Sequence, residues 1–220
     1  MQSWGTTSRF TERDTGTEPS KSGVIGLLCA ALGKPRREEP EHAARWPRLA
    51  DLASLRMGVR IDRPGSVGVD FQTAGGGKLG STPYGVAQVH GGIFGSVMSW
   101  RYFLQDASFL VGVSGLDRGL LEQLHQALRE PVWQLYLGRR AYLPSTPPYL
   151  PDGLVDLDLP NALLQYGQPP GDDARVILEI PYSHGAESRM DQPVDFNRRR
   201  FERRYVEVTT VGALRRRHGG

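Results

Sequence analysis

Cysteine, long apolar runs and histidines at metal-binding spacing are what this chain has least of. Its 220 residues hold one cysteine, Cys29. No disulfide can form within the chain, and a reducing cytoplasm is the expected setting. The five histidines, His42, His90, His125, His184 and His218, are scattered. None stands in H-x-x-x-H spacing or pairs with the cysteine, so no metal signature is present and no cofactor is expected. No stretch approaches the roughly 20 apolar residues of a membrane helix, so no membrane partner is expected. The first ten residues are polar and aromatic, without the apolar centre of a signal peptide. G-x-S-x-G, the P-loop lysine motif and a strand-to-helix G-x-G-x-x-G are also missing. The many glycines between positions 75 and 95 lack a following Lys-Ser or Lys-Thr helix start, and read as a flexible loop rather than a phosphate cradle.

What is present is enough apolar material for a core, 39% of residues, and a mild net charge of +3. The distribution of charge is more informative than its total. Arg198, Arg199, Arg200, Arg203 and Arg204 cluster near the end, followed by Arg215, Arg216 and Arg217. That last run reads equally as a solvated basic tail or as a nucleic-acid contact.

Periodicity places the elements. Residues 1–18 read as a loop. Pro19 to Gly33 reads as a helix, with Ser20 or Ser22 as N-cap and Gly33 as the stop. Residues 34–48 are charged and broken by proline, with a short second helix running to Leu52. Leu55, Met57, Val59 and Ile61 alternate as in a half-buried strand. Val67–Thr73 and Val97–Leu104 read as the arms of a long hairpin, and Ala107–Val113 as a strand. Leu116, Leu120, Leu121, Leu124 and Leu128 recur at helical spacing up to Pro131. Residues 143–151 form a proline-rich connector. Asp158–Tyr166 reads as a short helix, and Val176–Ile180 and Tyr205–Thr210 as strands of a second small sheet.

Four segments, MQSWG (1–5), PSKSG (19–23), DASF (106–109) and YLGRR (136–140), together resemble the CasD family of type I-E CRISPR Cascade subunits. That family is a Cas-five branch of the RAMP RNA-binding superfamily. The resemblance is carried by residues 1–145 and is weak over 146–220. It implies an α+β protein: a ferredoxin-like, RRM-type domain over 1–145, a protruding β-hairpin thumb at about 66–104, and a C-terminal β-rich annex over 146–220. A ferredoxin-like unit runs β-α-β-β-α-β. The order read here lacks the first strand, which family members carry directly before the M-Q-x-W-G segment.

The candidate binding residues follow. Lys21, Ser22 and Gly23 open a helix, where free N–H groups and a lysine suit a phosphate; plain capping explains them equally well. The resemblance favours RNA there. Trp4 suits either a core anchor or a stacking platform, and Arg9 suits a phosphate. Alternation puts Arg101 on one strand face and Trp100 and Tyr102 on the other, with one of the faces buried. Arg101 resembles the arginine of the family's W-R-E-Y-L segment, and His90 marks an altered, glycine-rich version of the histidine-containing segment before it. Gly138 permits close backbone approach, and Arg139 and Arg140 can grip phosphate.

The resemblance implies a non-catalytic subunit that caps the 5′ handle of the CRISPR RNA. Its partners would be the backbone subunit, the large PAM-reading subunit and, through the complex, target DNA. The alternative is a metal-independent endoribonuclease acting on repeat RNA, with His90, Tyr84, Tyr102 and Lys21 as available groups. A third reading is a stand-alone RNA-binding module.

Overall fold

A computed structural model describes residues 1–5, 11–79, 82–84, 86–87, 93–94 and 96–218, with backbone alone for 43, 77–79, 82–84, 86–87 and 93–94. Arg9 and His90 lie outside the described residues. In chain order the elements are β1 (Glu12–Arg13), α1 (Lys21–Leu32), α2 (Leu49–Ser54), β2 (Arg56–Arg63) and β3 (Ser66–Gly75). Four short strands follow: β4 (Gly77–Leu79), β5 (Thr82–Tyr84), β6 (Val86–Ala87) and β7 (Ile93–Phe94). Then come β8 (Ser96–Gln105), β9 (Ser108–Ser114), α3 (Arg118–Arg129), α4 (Leu159–Gln165), β10 (Arg175–Ile180), β11 (Glu187–Asp195), β12 (Arg200–Thr210) and α5 (Val211–His218).

Capping fixes the first helix. The Ser20 hydroxyl accepts the Gly23 N–H at 3.3 Å, and Gly33 turns left-handed at φ 68° so that Lys34 N–H reaches Cys29 O at 2.8 Å. The inner face of α1 carries Ile25, Leu28 and Cys29 against Leu49 and Leu52 of α2, Leu55, and Leu120 and Leu124 of α3. Leu116 does not join that face. Asp117 caps α3 by accepting the Leu120 N–H at 3.0 Å, which leaves Leu116 outside the helix and fully exposed.

The main sheet has five antiparallel strands in the order β11-β12-β10-β2-β9. Met57, Val59 and Ile61 bury one face of β2 as the alternation requires. The other face presents Gly58 beside Gly112 of β9. A β-carbon on either would lie 2.7 Å from a leucine methyl of α4, Leu163 or Leu159 respectively. Glycine at both positions is what lets α4 lie against the sheet. The strands expected to form a second small sheet instead extend this one, because β10 pairs directly with β2 at Val176↔Arg60, Ile177↔Val59 and Leu178↔Gly58. Beyond the short strands β1 and β4 to β7, which fall in segments read as loops, two longer elements were not expected, β11 and α5. The C-terminal arginines belong to α5, which packs Val211 and Leu214 against Leu159 and Leu163; Arg215 and Arg217 pair with Asp172 and Glu207.

Strand β9 forms one edge of the sheet, and no strand among the described residues pairs with its outer side. The hairpin of β3 and β8 pairs from Ser66↔Gln105 to Gly75↔Ser96. Along one of its faces run Val69, Phe71, Met98, Trp100 and Tyr102, all exposed. The expectation that one of its faces is buried holds in part: on the face of Arg101, Ser99 and Phe103 are buried and Arg101 is half-buried, whereas the aromatic face is covered only at its base, at Leu104.

Candidate nucleic-acid interface

The four sequence anchors meet in space. Residues 1–5 run between the base of the hairpin and the 136–142 turn. Gln2 exchanges backbone hydrogen bonds with Leu104, at 3.0 and 2.8 Å, and its side-chain amide donates to Ala107 O at 2.8 Å. Ser3 N–H donates to Leu137 O at 3.0 Å. Trp4 lies over Gly23, where a β-carbon would come within 2.8 Å of the indole. Thus MQSWG touches DASF, YLGRR and PSKSG in turn.

Gly138 is required by this contact. Its φ is +90°, and a β-carbon would lie 1.8 Å from Ser3 O. The turn closes with Leu137 N–H to Tyr142 O at 2.8 Å and Tyr142 N–H to Arg139 O at 2.9 Å. Arg139 is thereby aimed back across the N-terminal segment. Its guanidinium donates to Tyr142 Oη at 3.0 Å and to Arg13 O at 3.2 Å.

Strand β1 brings Arg13 beside this turn, because its parallel pairing with β8 sets Arg13 opposite Arg101. Arg101 donates to Ser99 Oγ at 3.2 Å. The Arg13 guanidinium is held below its ordinary range first by partial desolvation, then by the positive charges of Arg101, Arg139 and Arg199. Arg199 comes from the β11–β12 turn, where it adopts φ 53°. None of the four has a carboxylate partner in an ion pair among the described residues. Arg140, next in the chain, is exposed. Like charges gathered at a surface repel one another. A polyanion laid across them relieves that repulsion, so the cluster is suited to phosphate.

The helix start behaves differently from expectation. Lys21 is 1% exposed, and its ammonium donates to Glu179 Oε1 at 2.7 Å. Its backbone N–H donates to Asp191 Oδ2 at 2.7 Å. Arg204 grips the same Asp191 at 2.6 and 3.1 Å, and Glu179 also accepts the Met57 N–H at 3.1 Å. Burial lowers the Lys21 pKa and Glu179 opposes the shift. An unpaired buried ammonium costs several kcal/mol, so the pairing fixes the side chain inward. The anion that the helix N-terminus calls for is Asp191 of the protein itself, and Lys21 offers nothing to an external phosphate. Ser22 is half-buried, with Oγ 3.4 Å from Ser20 Oγ, and Gly23 is covered by the indole. Trp4 is 5% exposed and donates to Gln2 Oε1 at 2.9 Å, so it is a core anchor and not a stacking platform.

Of the expected residues, the structure brings Arg101 and Arg139 together around Arg13, sets Gly138 and the exposed Arg140 on either side of Arg139 in the chain, and turns Trp4 and Lys21 inward. Sequence reasoning missed Arg13, which has no distinguishing neighbours in its loop. It saw Arg199 only as part of a basic run, which the fold divides: Arg199 is exposed and Arg204 is buried.

A family model described as "CRISPR-associated protein (Cas_Cas5)" matches residues 1–209. The chain belongs to that family. Among its relatives, the Escherichia coli (strain K12) "CRISPR system Cascade subunit CasD" is 29% identical over 222 residues, covering 96% of this chain and 92% of the relative. A solved structure titled "Crystal structure of Cas protein" is 44% identical, with a TM-score of 0.69 over 96% of this chain and 89% of its own. A chain of a "CRISPR RNA-guided surveillance complex" is 32% identical, also at TM-score 0.69, over 96% and 86%. The α+β architecture is that of these solved relatives. No helix among the described residues is long and apolar enough to cross a membrane.

Proposed function

We propose that this Cas5-family chain is a non-catalytic subunit of a Cascade-type surveillance complex. It holds the 5′ handle of the CRISPR RNA on the surface formed by Arg13, Arg101, Arg139, Arg140 and Arg199. The observation that carries this reading is the meeting of four guanidinium groups, from β1, β8, the 136–142 turn and the β11–β12 turn, with no carboxylate paired to any of them among the described residues. Family membership and the names of the relatives support the setting. The role is one of register: anchoring the handle fixes where the guide begins, while base pairing supplies target specificity.

The exposed stripe on the β3–β8 hairpin suits a neighbouring backbone subunit, because a contiguous apolar patch of this kind is the mark of an interaction surface. The large PAM-reading subunit and target DNA enter through the same complex. A ferredoxin-like reading of the fold implies one further strand, which would pair with the open edge of β9.

The test is binding and cleavage together, in EDTA, with a labelled handle RNA and a labelled repeat RNA. Handle binding that weakens with salt, is lost on Arg101→Gln/Arg139→Gln, and leaves the repeat intact supports this reading. Specific repeat cleavage surviving EDTA replaces it with the endoribonuclease. Salt-independent binding removes the arginine surface from consideration.

A further inference from the structure

A second basic site lies beside the first. Between the segment that follows α1 and the β11–β12 turn is a cleft of about 280 Å³, lined on one side by Arg36, Arg37 and Glu38 and on the other by Asp195 and Arg198. The two carboxylates are already engaged from within. Glu38 Oε1 accepts from Lys34 Nζ at 2.6 Å and from Leu49 N–H at 2.7 Å, and Asp195 Oδ1 accepts the Arg198 N–H at 2.9 Å. Arg37 reaches out to Glu39 at 2.7 Å, whereas the Arg198 side chain is only loosely paired, 3.8 Å from Asp195. Arg36 is exposed, with no carboxylate partner among the described residues. Each of the two segments lining the cleft therefore brings a guanidinium without a close carboxylate partner among the described residues, Arg36 after α1 and Arg198 on the β11–β12 turn.

The turn that carries Arg198 is fixed to the core. Phe196 packs against the cluster under α1, and the Asp195 carboxylate closes the turn onto the Arg198 backbone. The next residue is Arg199, whose left-handed backbone redirects the chain toward Arg13, Arg101 and Arg139. One rigid turn thus joins the arginine cluster to the cleft.

We propose that this cleft binds one nucleotide of the RNA lying on the arginine cluster, with its phosphate held between Arg36 and Arg198. The inference rests on the RNA-binding reading above and extends it to a residue pair outside the four sequence anchors. Two guanidinium groups lining one cleft suit a phosphate, which they can grip together. The cavity has room for the sugar and base as well as the anion. The chemistry is shared by an internal phosphodiester and a terminal phosphate, so the RNA is offered with and without a terminal phosphate.

The experiment measures RNA affinity by fluorescence anisotropy across a salt series. It uses the full chain, a short and a long single-stranded RNA, and the variants Arg36→Gln/Arg198→Gln and Arg101→Gln. On the long RNA, the cleft variant is expected to lose roughly threefold to tenfold in affinity and to reduce the salt slope by about 0.7, the value for one single-strand phosphate. On the short RNA, which reaches only the cluster, it matches wild type. Loss confined to RNA with a terminal phosphate places a chain end in the cleft. Equal loss on both RNAs places an internal phosphodiester there. If the cleft variant matches wild type on both lengths while Arg101→Gln weakens binding, the inference is overturned and the cluster reading stands; the cleft then suits an acidic segment of a neighbouring protein. If only the cleft variant weakens binding, the cleft stands and the cluster reading falls. A wild-type chain that binds neither RNA overturns both.

Discussion

Gly138 and Ser3 approach so closely that a methyl group on the glycine would fall 1.8 Å from the serine carbonyl oxygen. The contact clamps the N-terminal segment beneath the turn that aims Arg139. Gly138→Ala must push the two segments apart and also strain a backbone at φ +90°. We expect a loss of at least about 2 kcal/mol in denaturant unfolding, together with weakened RNA binding. Gly185→Ala is the control. Its φ is +85°, but nothing lies within 4 Å of the added carbon, so only the backbone term of about 1 kcal/mol should appear. Equal losses at the two positions would show that the clamp contributes nothing.

The Lys21, Glu179, Asp191 and Arg204 group predicts stability effects without a direct RNA effect. Asp191→Ala leaves the Arg204 guanidinium and the Lys21 N–H without their buried partner, and should cost about 3 to 5 kcal/mol. Lys21→Met should cost less, because Glu179 keeps the Met57 N–H and has Arg204 at 3.7 Å. The salt slope of RNA binding by Lys21→Met should match wild type. A slope lowered by about 0.7 would return Lys21 to the RNA surface.

The hairpin stripe separates folding from assembly. Phe71 and Trp100 meet edge to face with ring centres 5.5 Å apart, and both are at least 40% exposed. Phe71→Ser/Trp100→Ser should change the unfolding free energy by no more than about 1 kcal/mol, since neither ring is in the core. Co-purification with the backbone subunit should fall sharply. Intact assembly on size exclusion would remove the stripe as a docking surface.

Burial pushes the Cys29 thiol up to about 11. A raised acid pKa means that the folded state holds the neutral thiol. Its stabilising contribution is complete below the ordinary thiol range and is lost as pH rises through about 11. At pH 8 a thiol reagent should react with native protein only at the rate of unfolding, and promptly in denaturant. Fast native labelling would show that α1 opens locally.

The parts that were legible in the sequence have local causes. Ser20 and Gly33 delimit α1, the alternation of Met57, Val59 and Ile61 gives β2, and the leucines of α3 give its inner face. Strand β11, ESRMDQPVD, was not legible because its buried positions include Asp191 and Pro193, and nothing local says that Arg204 and α1 neutralise the aspartate. Helix α5 hid inside a basic run, since the partners of Arg215 and Arg217 lie at Asp172 and Glu207. The candidate site divides in the same way. Gly138 and Arg139 were visible as a local motif, whereas Arg13 and Arg199 acquire meaning only when β1 and the β11–β12 turn bring them together. Lys21 misled because a capped helix start looks the same in sequence whether its anion comes from outside or from a residue 170 positions away.

That distance sets the order in which a nascent chain can finish folding. The first helix leaves the ribosome early, but the carboxylate that completes its N-terminus is translated 170 residues later and needs Arg204 after that. Translation at about 5 to 20 residues per second separates Lys21 from Glu179, the partner of its ammonium, and from Asp191, the partner of its backbone N–H, by roughly ten seconds or more. The N-terminus of the first helix is therefore among the last parts of the chain to acquire its full set of polar partners, once the strands carrying Glu179, Asp191 and Arg204 have docked.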